Sequence, residues 1–150
     1  MNSFPEKAKK GLLGEVSFCA RMNAAIRAAG SAAAFARMHN LNPQAVRNTW
    51  DLKSINPEVV AALGLVQVTR YPVLSQPGIL AAPKDVQEKL NSFIREHKTQ
   101  RRAAGIFGIH ETHLSNIQNG LRGFGPVLAI LGYGPPERCF LEKAAYNAAS

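Results

Sequence analysis

The sequence contains an internal repeat. When the chain is shifted by 68 residues, residues 22–65 align with residues 90–133 without a gap. The identical pairs are Asn23 with Asn91, Ile26 with Ile94, Arg27 with Arg95, Ala36 with Ala104, Asn48 with Asn116, Val59 with Val127, Ala61 with Ala129, Leu63 with Leu131 and Gly64 with Gly132. The similar pairs fall on apolar positions, so the two copies share one apolar register. Such a repeat predicts two copies of one small folding unit.

Each copy has the sequence pattern of four short helices. In the first copy, apolar residues recur at spacings of three and four over Glu15–Ala29, which is typical of an amphipathic helix. Ser31 is a good N-cap for a second helix, because its hydroxyl can accept an otherwise unpaired backbone N–H. Asn42-Pro43 and Asn56-Pro57 each place an N-cap residue before a proline at the first helical position. The second copy follows the same order of helices.

The most specific pattern lies in the second copy, at residues 99–120. Thr99 can cap a first helix, Ala104 is small where two helices would cross, and Gly108 can adopt positive φ in a tight turn. The apolar positions of the helix that follows are Ile109, Leu114 and Ile117. Its outward positions are short, polar and uncharged, namely His110, Thr112, His113, Ser115, Asn116 and Asn119. A helix with this outer face suits the major groove of DNA.

This is the helix-turn-helix pattern, and the chain resembles the lambda-repressor-like and Cro-like regulators of phages and bacteria. The resemblance implies that Gln100 braces the DNA-reading helix against a phosphate, a position that holds Ala32 in the first copy. Asn40 takes the turn position that Gly108 holds in the second copy. In Cro-like proteins the segment after the last helix often forms a strand, sometimes at a dimer interface. In residues 66–71 apolar and polar side chains alternate and several are β-branched, a pattern that predicts such a strand here.

The candidate DNA-contacting residues are the outward side chains of the two DNA-reading helices and the polar or basic residues beside them. In the first copy they are Gln44, Arg47, Asn48 and Lys53. In the second copy they are Gln100, Arg101, Arg102, His110, Thr112, His113, Ser115, Asn116, Asn119 and Arg122. Asparagine can pair bidentately with adenine. Asn48 and Asn116 can equally well be polar surface residues that contact no base. Arg101 and Arg102 are expected to contact the DNA backbone or to be merely solvated.

Together these patterns predict an all-α fold of two tandem four-helix helix-turn-helix units, with a short β-strand between them. The expected organisation is a flexible basic N-terminus at 1–14, a first unit with its trailing strand at 15–71 and a linker at 72–83. A second unit at 84–134 and a C-terminal helical tail at 135–150 complete it.

Composition restricts the class of protein. The net charge is +8, and both halves of the chain are basic, which favours polyanionic partners. No apolar run approaches the roughly 18 residues of a membrane span, and no secretory signal is expected, so we predict a cytoplasmic protein that associates with the nucleoid of a bacterial host. Cys19 and Cys139 are non-equivalent in the repeat and are expected to be reduced thiols. His110 and His113 lack partners at a known metal-ligand spacing, so neither a metal nor a cofactor is expected.

No catalytic motif is present, so we expect no catalytic residues and no enzyme. The predicted partner is double-stranded DNA, and the predicted function is transcriptional regulation of the phage or mobile-element type. One chain with two units can act as its own pseudo-dimer, and a homodimer of the chain is an alternative. Two other functions also stay open. One is a DNA-packaging or recombination accessory protein; the other is an interaction protein with one degenerate unit.

Overall fold

A computed structural model describes residues 12–149, and the rest of the predicted basic N-terminus lies outside the described residues. The helices are α1 (Glu15–Ala29), α2 (Ala32–Met38), α3 (Pro43–Trp50), α4 (Pro57–Ala62), α5 (Pro83–Glu96), α6 (Gln100–Phe107), α7 (Glu111–Gln118), α8 (Gly125–Leu131) and α9 (Lys143–Ala149). The strands are β1 (Leu12–Leu13), β2 (Leu65–Pro72), β3 (Leu80–Ala81) and β4 (Glu137–Glu142), hydrogen-bonded in the order β1–β4–β2–β3. The prediction of an all-α fold was therefore wrong, and the fold is mixed α and β.

The chain forms two compact units. Each unit includes a segment that comes, in sequence, after the four consecutive helices of the other unit. The N-terminal unit consists of described residues 12–68 and 138–149, and the C-terminal unit consists of residues 69–137. The N-terminal unit thus contains α1–α4 together with most of β4 and α9. The C-terminal unit contains α5–α8 together with the second half of β2 and β3. We call this arrangement the segment exchange.

In the N-terminal unit, β4 completes the hydrophobic core. Phe140 is fully buried, and its ring stacks on that of Phe18 with the centroids 4.1 Å apart. It lies opposite Leu13 where β4 pairs antiparallel with β1. Just beyond β4, the backbone N–H of Lys143 donates to the carbonyl of Gly64 at 2.8 Å. The remaining buried apolar side chains of this core come from α1–α4 and β2, among them Met22, Ile26, Phe35, Val46, Val59, Val60 and Leu65.

An ion pair also holds β4 to α1. The guanidinium of Arg21 donates to the carboxylate of Glu142 and, at 3.3 Å, to the backbone carbonyl of Leu63. The hydrogen bond from Arg21 lowers the pKa of Glu142. Near the other end of the strand, Arg138 pairs with Glu15 at 3.2 Å. Both ends of the exchanged strand are therefore fastened to the first helix of the N-terminal unit.

In the C-terminal unit, the segment after β2 makes the corresponding contact. The backbone N–H of Leu74 donates to the carbonyl of Gly132 at 2.9 Å. Gly132 is the repeat partner of Gly64, whose carbonyl accepts from the exchanged segment in the other unit. Val73 forms an isolated antiparallel bridge with Tyr133. The core contains Tyr71 and Ala81 from the exchanged segment, with side chains of α5–α8 that include Val86, Leu90, Ile94, Ala103, Phe107, Leu114, Ile117 and Val127.

The backbone itself repeats with the 68-residue shift. Residues with positive φ pair up as Gly30 with Lys98, Asn40 with Gly108, Leu52 with Gly120 and Gly64 with Gly132. The non-glycine members are strained in this left-handed region, which glycine adopts freely. Each of them has a glycine at the equivalent position of the other copy. The two copies thus keep one backbone path even where the side chains differ.

The strand pairing explains where the structure differs from the expected linker and tail. Residues 72–83 contain β3, and residues 137–142 form β4 rather than the helix that their composition predicts. Glutamate, which begins and ends β4, is depleted in strands, but strand propensity depends strongly on the neighbours a segment packs against. Here β4 gains two hydrogen-bonding neighbours and buries Phe140, which outweighs the local preference. Among the described residues, the structure contains no helix with the length and apolarity needed to cross a bilayer.

Candidate nucleic-acid interface

In the C-terminal unit, α6 and α7 form a helix pair joined by a tight turn. The hydroxyl of Thr99 caps α6 by accepting from the backbone N–H of Arg102 at 3.1 Å. Gly108 ends α6 in the left-handed conformation, with φ of 74°. The backbone N–H of Ile109 then donates to the carbonyl of Ala104 at 3.0 Å. These bonds set the direction in which α7 leaves the turn.

The outward side chains of α7 lie on one surface. Leu114 and Ile117 point into the core and are fully buried, which fixes the opposite face of the helix outward. Among the predicted DNA contacts, Thr112 and Asn119 are exposed, while His113, Ser115 and Asn116 are half-buried. The Nδ2 of Asn119 donates to the Ser115 hydroxyl at 3.4 Å. The helix therefore presents short hydrogen-bonding groups.

His110 has a structural role at the start of α7. Its Nδ1 accepts from the backbone N–H of Thr112 at 3.0 Å, so the imidazole is the N-cap of the helix. A helix N-cap satisfies a backbone donor that would otherwise lack a partner. His110 is exposed at this position.

Basic side chains lie on the two segments that adjoin the C-terminal end of α7. Arg101 and Arg102 are exposed on the first turn of α6, and Arg122 is exposed in the loop after α7. Gln100 is half-buried, and its side-chain amide donates to the side-chain carbonyl of Gln118 at the end of α7. The structure thus brings Gln100 into contact with the predicted DNA-reading helix.

The sequence interpretation missed a polar cleft beside α7. It has a volume of about 690 Å³ and is lined by Gln87, Asn91, Ile94, Arg95, Lys98, Gln118 and Asn119. Within it, Asn91 accepts hydrogen bonds from the side chains of Gln87 and Gln118, at 3.1 and 3.2 Å. The identity of Asn91 with Asn23 in the repeat was a visible signal, but no partner of either asparagine can be identified from the sequence.

The N-terminal unit has the corresponding helix pair, α2 and α3. Asn40 holds the turn with φ of 56°, and the backbone N–H of Leu41 donates to the carbonyl of Ala36 at 2.8 Å. Asn40 and Leu41 are the repeat partners of Gly108 and Ile109. Asn42 then caps α3 by accepting from two backbone N–H groups, at 2.8 and 3.1 Å.

On α3 the predicted DNA contacts hydrogen-bond to one another. The amide of Gln44 donates to Asn48 at 3.0 Å and accepts from Arg47 at 2.9 Å. Gln44, Arg47 and Lys53 are exposed, and Asn48 is half-buried. These contacts join side chains at spacings of three and four residues, which lie on one face of a helix.

The two helix pairs differ in where their cationic side chains lie. The first turn of α6 carries Gln100, Arg101 and Arg102, and the first turn of α2 carries alanine at all three equivalent positions, Ala32, Ala33 and Ala34. The C-terminal unit therefore has two arginines at the start of the helix before α7, where the N-terminal unit has alanines.

In the described part of the chain, no three or more histidine, cysteine or acidic side chains are grouped to hold a metal ion. Cys19 is half-buried and Cys139 is buried, and neither forms a disulfide. Comparison of the chain with protein-family models, curated proteins and solved structures gave no match.

Proposed function

We propose that this protein binds double-stranded DNA in a sequence-specific manner, as a transcriptional regulator of the phage or mobile-element type. The observation that carries the proposal is the α6–α7 pair. Its second helix buries only Leu114 and Ile117 on the inner side, and after the exposed Glu111 of its first turn it presents short uncharged polar groups on the outer side. Such groups can approach base edges in the major groove without the entropic cost of ordering long side chains.

The electrostatics beside α7 agree with this proposal. Arg101 and Arg102 are exposed next to Gln100, which contacts the last residue of α7, and Arg122 is exposed shortly after that residue, where cations can hold phosphates of the DNA backbone. Phosphate contacts orient a protein on the duplex, and base contacts give it specificity. The expected division is therefore arginines on the backbone and Asn116 with its neighbours on the bases.

The N-terminal unit supplies a second, unlike reading helix in the same chain. Its outward set is Gln44, Arg47 and Asn48, and the corresponding set on α7 is Thr112, Ser115 and Asn116. One chain can then recognise two different half-sites, as a pseudo-dimer within a single polypeptide. A genome-wide binding map tests the regulatory role: promoter sites support it, whereas a single packaging or attachment site supports an accessory role in those processes.

We expect binding of a specific duplex to weaken steeply as salt is added. Each neutralised phosphate contributes about −0.9 to the slope of log K against log salt concentration. Several phosphate contacts per unit would give a slope of about −5 or steeper by the same rule. Fluorescence anisotropy with a labelled duplex, selected from a random pool, measures this slope over a series of sodium chloride concentrations.

The matched control is Lys84→Ala with Lys89→Ala, which removes two positive charges from α5 of the same unit, outside the α6–α7 surface. This variant should keep nearly the full slope. A slope near zero for the wild type, or no binding of any duplex at low salt, would refute DNA binding.

We expect the two units to read different half-sites. Asn116→Ala should relax the base preference at one or two positions of one half-site, at a cost of about 1–3 kcal/mol for a lost bidentate pair. Asn48→Ala should do the same in the other half-site. If both units lie on one face of the duplex, the half-site centres should be on the order of 10 base pairs apart, or a multiple of that.

Selection from random DNA with the wild type and both variants measures these preferences. A symmetric site whose two arms change equally with Asn116→Ala would instead mean that only the C-terminal unit reads DNA, as a homodimer.

A further inference from the structure

The last residue of α7 is held by side chains from both preceding helices. The side-chain amide of Gln118 donates to Asn91 on α5 and accepts from Gln100 on α6. The backbone carbonyl of Gln118 accepts from the side chain of Gln87 on α5 at 3.1 Å. This carbonyl is one of the last four of the helix, which have no partner within the helix itself. The end of α7 is thus fixed by three amide side chains, none of which belongs to α7.

The same device, with different chemistry, occurs in the N-terminal unit. Trp50 is the last residue of α3 and the repeat partner of Gln118. Its indole Nε1 donates to Oδ1 of Asn23 at 2.6 Å, and Asn23 is the repeat partner of Asn91. In both units an asparagine at the same position of the first helix therefore accepts a hydrogen bond from the last residue of the DNA-reading helix.

This equivalence explains the identity of Asn23 and Asn91 in the repeat. The donor is an indole at position 50 and an amide at position 118, whereas the acceptor is an asparagine in both units. The bond from Trp50 reaches an exposed asparagine, and the indole remains 37% exposed. The indole of Trp50 therefore contributes little to the stability of the core, because burial supplies most of the stability that an aromatic side chain provides.

We propose that Asn91 and Asn23 are positioning residues that fix the orientation of the two DNA-reading helices, an inference that rests on the proposed function. At its start, α7 is held by the turn at Gly108 and the cap at His110. Leu114 and Ile117 keep α7 packed on the core, and the amide contacts to Gln118 add the hold that prevents its far end from pivoting slightly about the turn. Base readout requires donors and acceptors to be held within about 0.5 Å of their productive positions. A pivoting helix would keep its phosphate contacts and lose discrimination between bases.

The test is the specificity ratio, defined as the affinity for the selected duplex divided by the affinity for a scrambled duplex of the same length and composition. We expect Asn91→Ala to lower this ratio about tenfold, the equivalent of roughly one lost bidentate base contact. Gln87→Ala should lower it in the same direction, since it removes two of the hydrogen bonds at this site. A loss of folded protein reduces both affinities by the same factor and leaves the ratio unchanged.

A conservative variant and two controls sharpen the test. Asn91→Asp keeps an acceptor oxygen for Gln87 and Gln118, so it should retain most of the ratio. Its added negative charge should weaken binding to both duplexes alike. Asn147→Ala, at an exposed position of α9, should change neither affinity nor ratio. Asn23→Ala should relax only the half-site read by α3.

The outcomes separate this inference from the proposed function. If the wild type binds no duplex, the proposed function fails and this inference fails with it. If the wild type discriminates between duplexes and both Asn91→Ala and Gln87→Ala keep the full ratio, the positioning role alone is overturned. A lower ratio in Asn91→Ala with recovery in Asn91→Asp supports it.

Discussion

Replacing Phe140 with alanine should destabilise the N-terminal unit by about 3–5 kcal/mol, the range for removing a fully buried phenylalanine. The side chain is completely buried and stacked on Phe18, and alanine would leave a cavity where the two rings meet. Mesophilic domains have only about 5–15 kcal/mol of stability in total. The substitution should therefore remove a large share of the stability of a unit whose first four helices end at Ala62, almost 80 residues before Phe140.

The fluorescence of Trp50 measures this effect selectively, because it is the single tryptophan of the chain and belongs to the N-terminal unit. In chemical denaturation, Phe140→Ala should move the tryptophan transition to lower denaturant concentration. Phe140→Leu is the matched variant and should move it less, since it retains most of the buried volume. An unchanged tryptophan transition in Phe140→Ala would contradict the segment exchange.

Replacing both Arg101 and Arg102 with alanine should weaken DNA binding on the order of a hundredfold at low salt. Two charge-assisted hydrogen bonds at about 1.5 kcal/mol each account for a loss of this size. The effect should be nearly the same for specific and scrambled duplexes, because phosphate contacts carry no sequence information directly. The salt slope should become shallower by about 2.

Titration of Arg47→Ala under the same conditions tests the ranking of the two units. Its guanidinium already donates to Gln44, and the helix before it begins with three alanines, so a smaller loss is expected. A larger loss from Arg47→Ala than from the double variant would mean that the N-terminal unit supplies most of the affinity.

The helices could be predicted from the sequence because their signals are local. The caps at Ser31, Asn42, Asn56 and Thr99 all accept the backbone hydrogen bonds that their positions predict. A cap depends on residues two or three positions away, which a short window of sequence contains. The turn at Gly108 is local in the same sense.

The strand pairing and the amide contacts were harder to predict from the sequence, because they depend on residues far apart in the chain. The strand at residues 66–71 was predicted, but its partner β4 lies about 70 residues later in a segment of helical composition. Trp50 is partly exposed and bonded to Asn23, which lies 27 residues earlier in the chain. The repeat marks Asn23 and Asn91 as equivalent, yet only the three-dimensional structure shows that each accepts a hydrogen bond from the last residue of the second helix of its pair.

The segment exchange has a consequence for synthesis on the ribosome. The C-terminal unit is continuous in sequence, so all of it has been made by the time Glu137 is added. The N-terminal unit still lacks Phe140, which follows Val68 by about 70 residues. At roughly 5–20 residues per second, that gap lasts on the order of 4 to 14 seconds. During this time the apolar surface around Phe18 has no β4 to cover it, so the half of the protein that is made first is the half that finishes folding last.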